Sequence, residues 1–267
     1  MKKSIYALLT CFALSTFAFQ LDAQNELYVD GSGGASEVYV DGSDGTADTT
    51  LFVDGEIVVD GTNGLLQQQA TGNQSRVSIT GDFTLSNDGR YTALDQSVFF
   101  FNGTGTQTVD FSGQATPNDR DFTVAHVNSP LVDLANGTEF SVSQTLFFRS
   151  SGTEASVIRT NNGHVLMQDG SSFDNHYMMP AAGLNVTTTQ RYINGELRHD
   201  VNGTATSFDF PIGNGTSAQP AVATFSAAPD GGGNGFISGT FNSAQLNYAN
   251  STDICGVDVS VSSFDPY

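Results

Sequence analysis

Beyond Lys3 the chain contains no lysine, and its only other cations besides histidine are Arg76, Arg90, Arg120, Arg149, Arg159, Arg191 and Arg198, placed singly. Phosphate backbones demand clustered positive charge, so nucleic acid is excluded as a partner. Cysteine is nearly absent: Cys11 falls in a leader, which leaves Cys255 as a buried thiol or as half of a bridge to a residue outside this chain. Helical periodicity is missing as well. After the leader, no window of a dozen residues carries apolar side chains at i, i+3, i+4 and i+7, and the 29 glycines interrupt most windows. Catalytic signatures are also lacking: there is no Gly-x-Ser-x-Gly elbow and no HExxH, and His126, His164, His176 and His199 lie far apart in sequence. Asp30-Gly31-Ser32-Gly33-Gly34 has the wrong order for a serine-protease nucleophile loop.

Long hydrophobic runs are limited to Ile5–Phe19, which follows the basic Met1-Lys2-Lys3 and is too short for a comfortable membrane span. Residues 1–24 therefore read as a secretory signal peptide, with cleavage expected near Gln24. No other stretch could cross a bilayer. Removing residues 1–24 takes away Lys2, Lys3 and Asp22, which moves the formal net charge from -19 to -20. Such a surface favours solubility, repels anionic surfaces and invites divalent cations. The expected location is outside the cell or on its outer surface.

What the chain does contain is repetition. Leu27-Tyr28-Val29-Asp30-Gly31, Val38-Tyr39-Val40-Asp41-Gly42, Leu51-Phe52-Val53-Asp54-Gly55 and Ile57-Val58-Val59-Asp60-Gly61 are four versions of one strand-and-turn phrase. Short apolar runs continue it, among them Val77-Ser78-Ile79, Val98 to Phe101, Phe122 to Val127 and His164 to Met167, with Asn102-Gly103, Asn136-Gly137 and Asn162-Gly163 as turns. The expectation is an all-β protein: a parallel β-solenoid or β-helix-like region over residues 25–175, then a β-sandwich-like region over 176–267 beginning near Met178-Met179-Pro180. Steps of 11, 13 and 6 residues between Asp30, Asp41, Asp54 and Asp60 count against strict coils. Val257, Val259 and Val261 alternate as in a strand shortly before Tyr267, so the chain reads as a fragment of a longer protein.

Stacking the four phrases would align Asp30, Asp41, Asp54 and Asp60 on one edge, where like charges repel unless compensated. Calcium is the cofactor such an edge suggests, with Asp41, Asp44 and Asp48 of the Gly-bent acidic loop as its ligands. The competing reading is that each Asp caps its own turn. Tyr28, Tyr39 and Phe52 are candidates for an aromatic strip that binds sugar rings or packs across strands. His199 beside Asp200 reads as a solvated strand edge. Carboxylate pairs keep a polysaccharide-active enzyme as the alternative, although no cationic cluster accompanies them. Asn102, Asn136, Asn185, Asn202 and Asn214 sit in Asn-x-Thr/Ser sequons that are read as turns.

Phe101-Asn102-Gly103-Thr104-Gly105-Thr106-Gln107-Thr108-Val109, followed by Phe122-Thr123-Val124-Ala125-His126-Val127-Asn128, resembles coil units of large secreted surface proteins of Bacteroidetes. Arg191-Tyr192-Ile193-Asn194-Gly195-Glu196-Leu197-Arg198-His199 and Phe210-Pro211-Ile212-Gly213 match a second phrase of those proteins. The resemblance spans most of residues 25–250. It implies type IX secretion and an adhesive or structural role, with glycans or other surface proteins as partners. Nothing after Cys255 looks like the sorting domain that such proteins carry. The reading is a non-catalytic, secreted structural or adhesive scaffold; the alternative is a carbohydrate-binding module or a β-solenoid enzyme using carboxylates.

Overall fold

A computed structural model describes residues 20–42, 48–70, 73–112, 120–148, 155–173, 191–216, 218, 220–228, 230–241 and 257–260. The described residues are all-β, without helix, and wind a parallel β-solenoid of about five turns. Each turn visits three positions, and strands at one position pair in parallel with those one turn away. The first position holds β5 (Ser75–Ile79), β8 (Ser97–Phe101), β10 (Phe122–Val127) and the second half of β12 (Glu139–Phe148), ending at β14 (Ser172–Phe173). The second holds β6 (Phe83–Ser86), β9 (Thr106–Asp110), β11 (Leu131–Leu134) and the first half of β13 (Ser156–Met167). β1 (Gln20–Asp30) and β3 (Thr49–Asp60) run through both positions and pair along their full lengths, Gln20 with Thr50 through Asp30 with Asp60.

At the third position a separate sheet of β2 (Ser36–Asp41), β4 (Gly64–Gln69) and β7 (Arg90–Ala93) serves the first turns. In the later turns that position is taken by Glu139–Val142 and His164–Met167, joined by the end of β15 (Arg191–Asn202). Side-chain hydrogen bonds between successive turns recur at separations of 26 residues.

This periodicity explains the uneven spacing of the four phrases. Only the first and fourth are stacked, with Val29 opposite Val59; the second lies on β2 and the third on the other half of β3. Gly31 and Gly61 make that stack possible. A Cβ on Gly31 would lie 1.9 Å from the Gly64 nitrogen, while Gly61 has φ +80 and a Cβ there would lie 2.8 Å from the Gly31 carbonyl carbon.

Alternation sends one row of side chains inward from every strand. The interior is aliphatic at the first turn, with Leu51, Val53, Ile57 and Val59, and aromatic in the middle, with Phe83, Tyr91, Phe99, Phe101, Phe111, Phe122 and Phe140 fully buried. Phe122 meets Phe140 at 4.7 Å and Phe99 at 5.2 Å between ring centroids. Inside the turns Gln68 and Tyr91 satisfy one another: the Tyr91 hydroxyl donates to Gln68 Oε1 at 2.5 Å, and Gln68 Nε2 donates to the carbonyls of Ser75 and Val98.

The expected domain boundary near residue 176 lies outside the described residues. β15 still pairs in parallel with β13, so the solenoid's last turn lies beyond that point. Thereafter pairing turns antiparallel: β15 with β18 (Asp230–Phe241), β18 with β19 (Val257–Ser260), and β16 (Ser207–Phe210) with β17 (Ala221–Thr224). β18 and β19 extend the solenoid's own sheet and close its C-terminal end. Cys255 and His176 are outside the described residues.

Candidate functional site

Of the acidic loop proposed for calcium, Asp41 is exposed at the end of β2 and Asp44 lies outside the described residues. Asp48 accepts the Gln74 backbone N–H at 2.9 Å and pairs with Arg76 Nη2 at 2.7 Å. Among the described residues no three His, Cys, Asp or Glu side chains converge as metal ligands. The single aligned edge of Asp30, Asp41, Asp54 and Asp60 does not form, because these residues occupy different positions of the turn. Asp41 stands opposite Gln69, and Asp54 accepts from Thr80 Oγ1 at 2.9 Å.

Asp30 and Asp60 do stack, and hydrogen-bond donors relieve their repulsion. Asp30 caps its own turn by accepting from Ser32 Oγ at 2.5 Å and Ser32 N–H at 2.9 Å. Asp60 collects Ser86 Oγ at 2.6 Å, Asn87 Nδ2 at 2.7 Å and the Tyr28 hydroxyl at 2.9 Å. These bonds hold both carboxyls below the usual range, and the Asp60 bond pushes the Tyr28 hydroxyl up to about 12. Ser32 is thus occupied by Asp30 in an exposed turn.

The expected aromatic strip is not formed by Tyr28, Tyr39 and Phe52, which sit at three different positions of the turn. Tyr28 and Tyr39 are 48% and 54% exposed, and the Tyr28 hydroxyl reaches across from β1 to Asp60 on β3. A different row forms on the outer face of the first position. Phe100, His126 and Phe147 stand in register, with ring centroids 4.6 and 4.3 Å apart and planes inclined by 26° and 6°. Their faces are turned to one another along the stack. A sugar binds aromatic faces, so the inner surfaces of this row are already taken, and its main effect is to tie three turns together.

Charge gathers on the outer face of the third position. Glu139, His164 and Glu196 are register partners on successive turns. His164 Nε2 meets Glu139 Oε2 at 2.9 Å, Arg120 donates to Glu139 Oε1 at 3.0 Å, and Arg198 donates to both Glu196 oxygens while its guanidinium lies 4.7 Å above the Phe236 ring. Hydrogen bonding from His164, aided by Arg120, lowers the Glu139 pKa. Asp200 moves the other way, raised first by burial and then by Glu139, Asp169 and Asp121. Neither the row Arg120, Glu139, His164, Glu196 nor the row Phe100, His126, Phe147 is visible as a sequence motif. Each emerges only once the turn length is known.

His199 is not a solvated edge. It is 7% exposed and points into the C-terminal closure, where its Nε2–H donates to the Asp209 carbonyl at 2.8 Å among Phe173, Phe208 and Phe210. Asp200, its neighbour on β15, faces outward, so the two do not act as a pair.

No family model matches the chain, and no curated protein or solved structure matches it. No helix among the described residues is long and apolar enough to cross a membrane.

Proposed function

We propose that this protein is a secreted or cell-surface scaffold with a structural or adhesive role, in which a rigid acidic β-stack presents its loops and strand faces without catalysis. The observation that carries the reading is that the outward polar side chains bond chiefly to the next turn. Asp60 is held by Ser86 and Asn87, Asp133 by Arg159 and Asn161, and Glu139 by Arg120 and His164. Groups spent in this way add stiffness and leave few reactive side chains idle. The apolar leader and the resemblance to Bacteroidetes surface proteins support export, with glycans or other surface proteins as the partners.

One observation favours the carbohydrate-active alternative. Glu139 and Asp200 have pKa values pushed in opposite directions, which is the arrangement a carboxylate acid–base pair needs. Glu139, however, is held by Arg120 and His164, and freeing it for chemistry would break both bonds. Incubating the purified chain with a glycan array and a panel of polysaccharides, with reducing ends measured over time, separates the readings. Binding or silence without turnover is expected; turnover that disappears in Asp200→Asn would overturn the scaffold reading.

A further inference from the structure

β3 is covered on its outer edge by two different pieces of β1. Its second half, Glu56–Asp60, pairs with Glu26–Asp30, whereas its first half, Thr50–Asp54, pairs with Gln20–Gln24. The boundary between the two pieces coincides with the cleavage expected near Gln24. Cutting there leaves Glu26–Asp30 and β2 in place as the first turn but removes the strand beside Thr50–Asp54. Face to face with the missing strand is a notch one strand deep, about 4.8 Å in the stacking direction.

The geometry points to a strand-accepting site at this notch: leader removal uncovers the edge of Thr50–Asp54, which takes up an extended, uncharged segment of another polypeptide running parallel to β3. This rests on the reading that the chain is exported. Three features define the occupant. Thr50-Leu51-Phe52-Val53 is uncharged and rich in β-forming residues, and the one acid of the uncovered edge, Asp54, already accepts from Thr80 Oγ1, while the neighbouring exposed edge carries Glu26 and Asp30, which discourage pairing. Leu51 and Val53 face inward and are buried, so the incoming strand must place apolar side chains at those two register positions. Leu21 and Ala23 hold these register positions in the uncut chain. A second copy is disfavoured, because the free first-turn strand it would offer, Glu26–Asp30, carries two acids.

Two chains test this, one beginning at Asn25 and one retaining Gln20–Gln24, both checked for a β-type circular dichroism spectrum. The probe is a labelled, uncharged peptide of sequence Gln20 to Asn25 carrying Asp22→Asn, read by fluorescence anisotropy and by hydrogen exchange at Thr50–Val53. Binding to the Asn25 chain at least tenfold tighter than to the longer chain, with protection of Thr50–Val53, is the expected result. Equal binding to both, or none to the folded Asn25 chain, overturns the proposal. A dimer of the Asn25 chain that the peptide does not dissociate also overturns it, in favour of a second copy. N-terminal sequencing of the exported protein must give a start after Gln24; a start at or before Gln20 would leave the edge permanently covered and refute the site. Polysaccharide turnover would remove the scaffold reading and leave the notch untouched.

Discussion

The first and last turns of this solenoid hold their register by different means. In the first turns three outward carboxylates are met by neutral donors, Asp30 by Ser32, Asp54 by Thr80 and Asp60 by Ser86 and Asn87, with the Asp48–Arg76 pair as a charged exception. In the last turns guanidinium groups take that place, with Arg159 on Asp133, Arg120 on Glu139 and Arg198 on Glu196, and His164 as a second partner of Glu139. Parallel register sets equivalent side chains above one another, so a column of acids must recruit donors or alternate with cations. The first solution is insensitive to salt. The second weakens with ionic strength and with any titration of the closure beside it.

The largest expected effect breaks both ends at once. Phe122 sits where the two regions join, packed against Phe83, Phe99, Phe101, Phe111 and Phe140. Phe122→Ala is expected to cost about 3–5 kcal/mol, measured by urea denaturation. A loss below 1 kcal/mol would mean the two regions do not share this aromatic core. Gly31→Ala is confined to the first turns. Its methyl group would overlap the Gly64 backbone, with an expected cost of about 3 kcal/mol and faster hydrogen exchange in β1, β2 and β4 but not in β13.

Acid acts on the opposite end. Burial lowers the His199 pKa from the ordinary 6.5 to about 4, against a smaller opposing effect of its bond to the Asp209 carbonyl. The unfolded chain takes up a proton below about pH 6.5 and the folded chain only near pH 4. Stability present above pH 6.5 is therefore lost as pH falls toward 4, by up to about 3 kcal/mol. Thermal melts from pH 7 to 4 should show this loss, and His199→Phe should flatten it; an unchanged slope in that variant would remove His199 as the cause. The smallest effect is a gain. Asp200 has a raised pKa, so its charge at neutral pH opposes the fold, and Asp200→Asn should raise Tm by about 1–3 °C by calorimetry.

Most strands were legible because their inward apolar residues alternate between turn residues. Val77–Ile79, Phe83–Leu85, Val98–Phe101 and Leu131–Leu134 fall on β5, β6, β8 and β11 as their patterns indicate. Asn162-Gly163 reads as a turn but bends within β13, because a solenoid corner needs only a change of direction and its backbone stays paired on both sides. β4 and β7 were harder to see, since Gln67-Gln68-Gln69 and Arg90-Tyr91-Thr92 are polar; what makes them strands is Gln68 and Tyr91 bonding to each other in the interior. The candidate surface was less legible still. Phe100, His126 and Phe147 are separated by unequal stretches of chain, and no local pattern announces that their rings meet.

By itself the sequence determined the class of structure and the chemistry of the surface: alternation and glycine enforce β-turns and strands, and the loss of lysine leaves an acidic exterior. Only the tertiary structure decided which residues are neighbours. Side-chain alternation is a local property with a period of two, whereas stacking depends on the length of a whole turn, set by every corner between two strands. That length placed Asp30 above Asp60 and far from Asp41, and it brought Glu139 to His164.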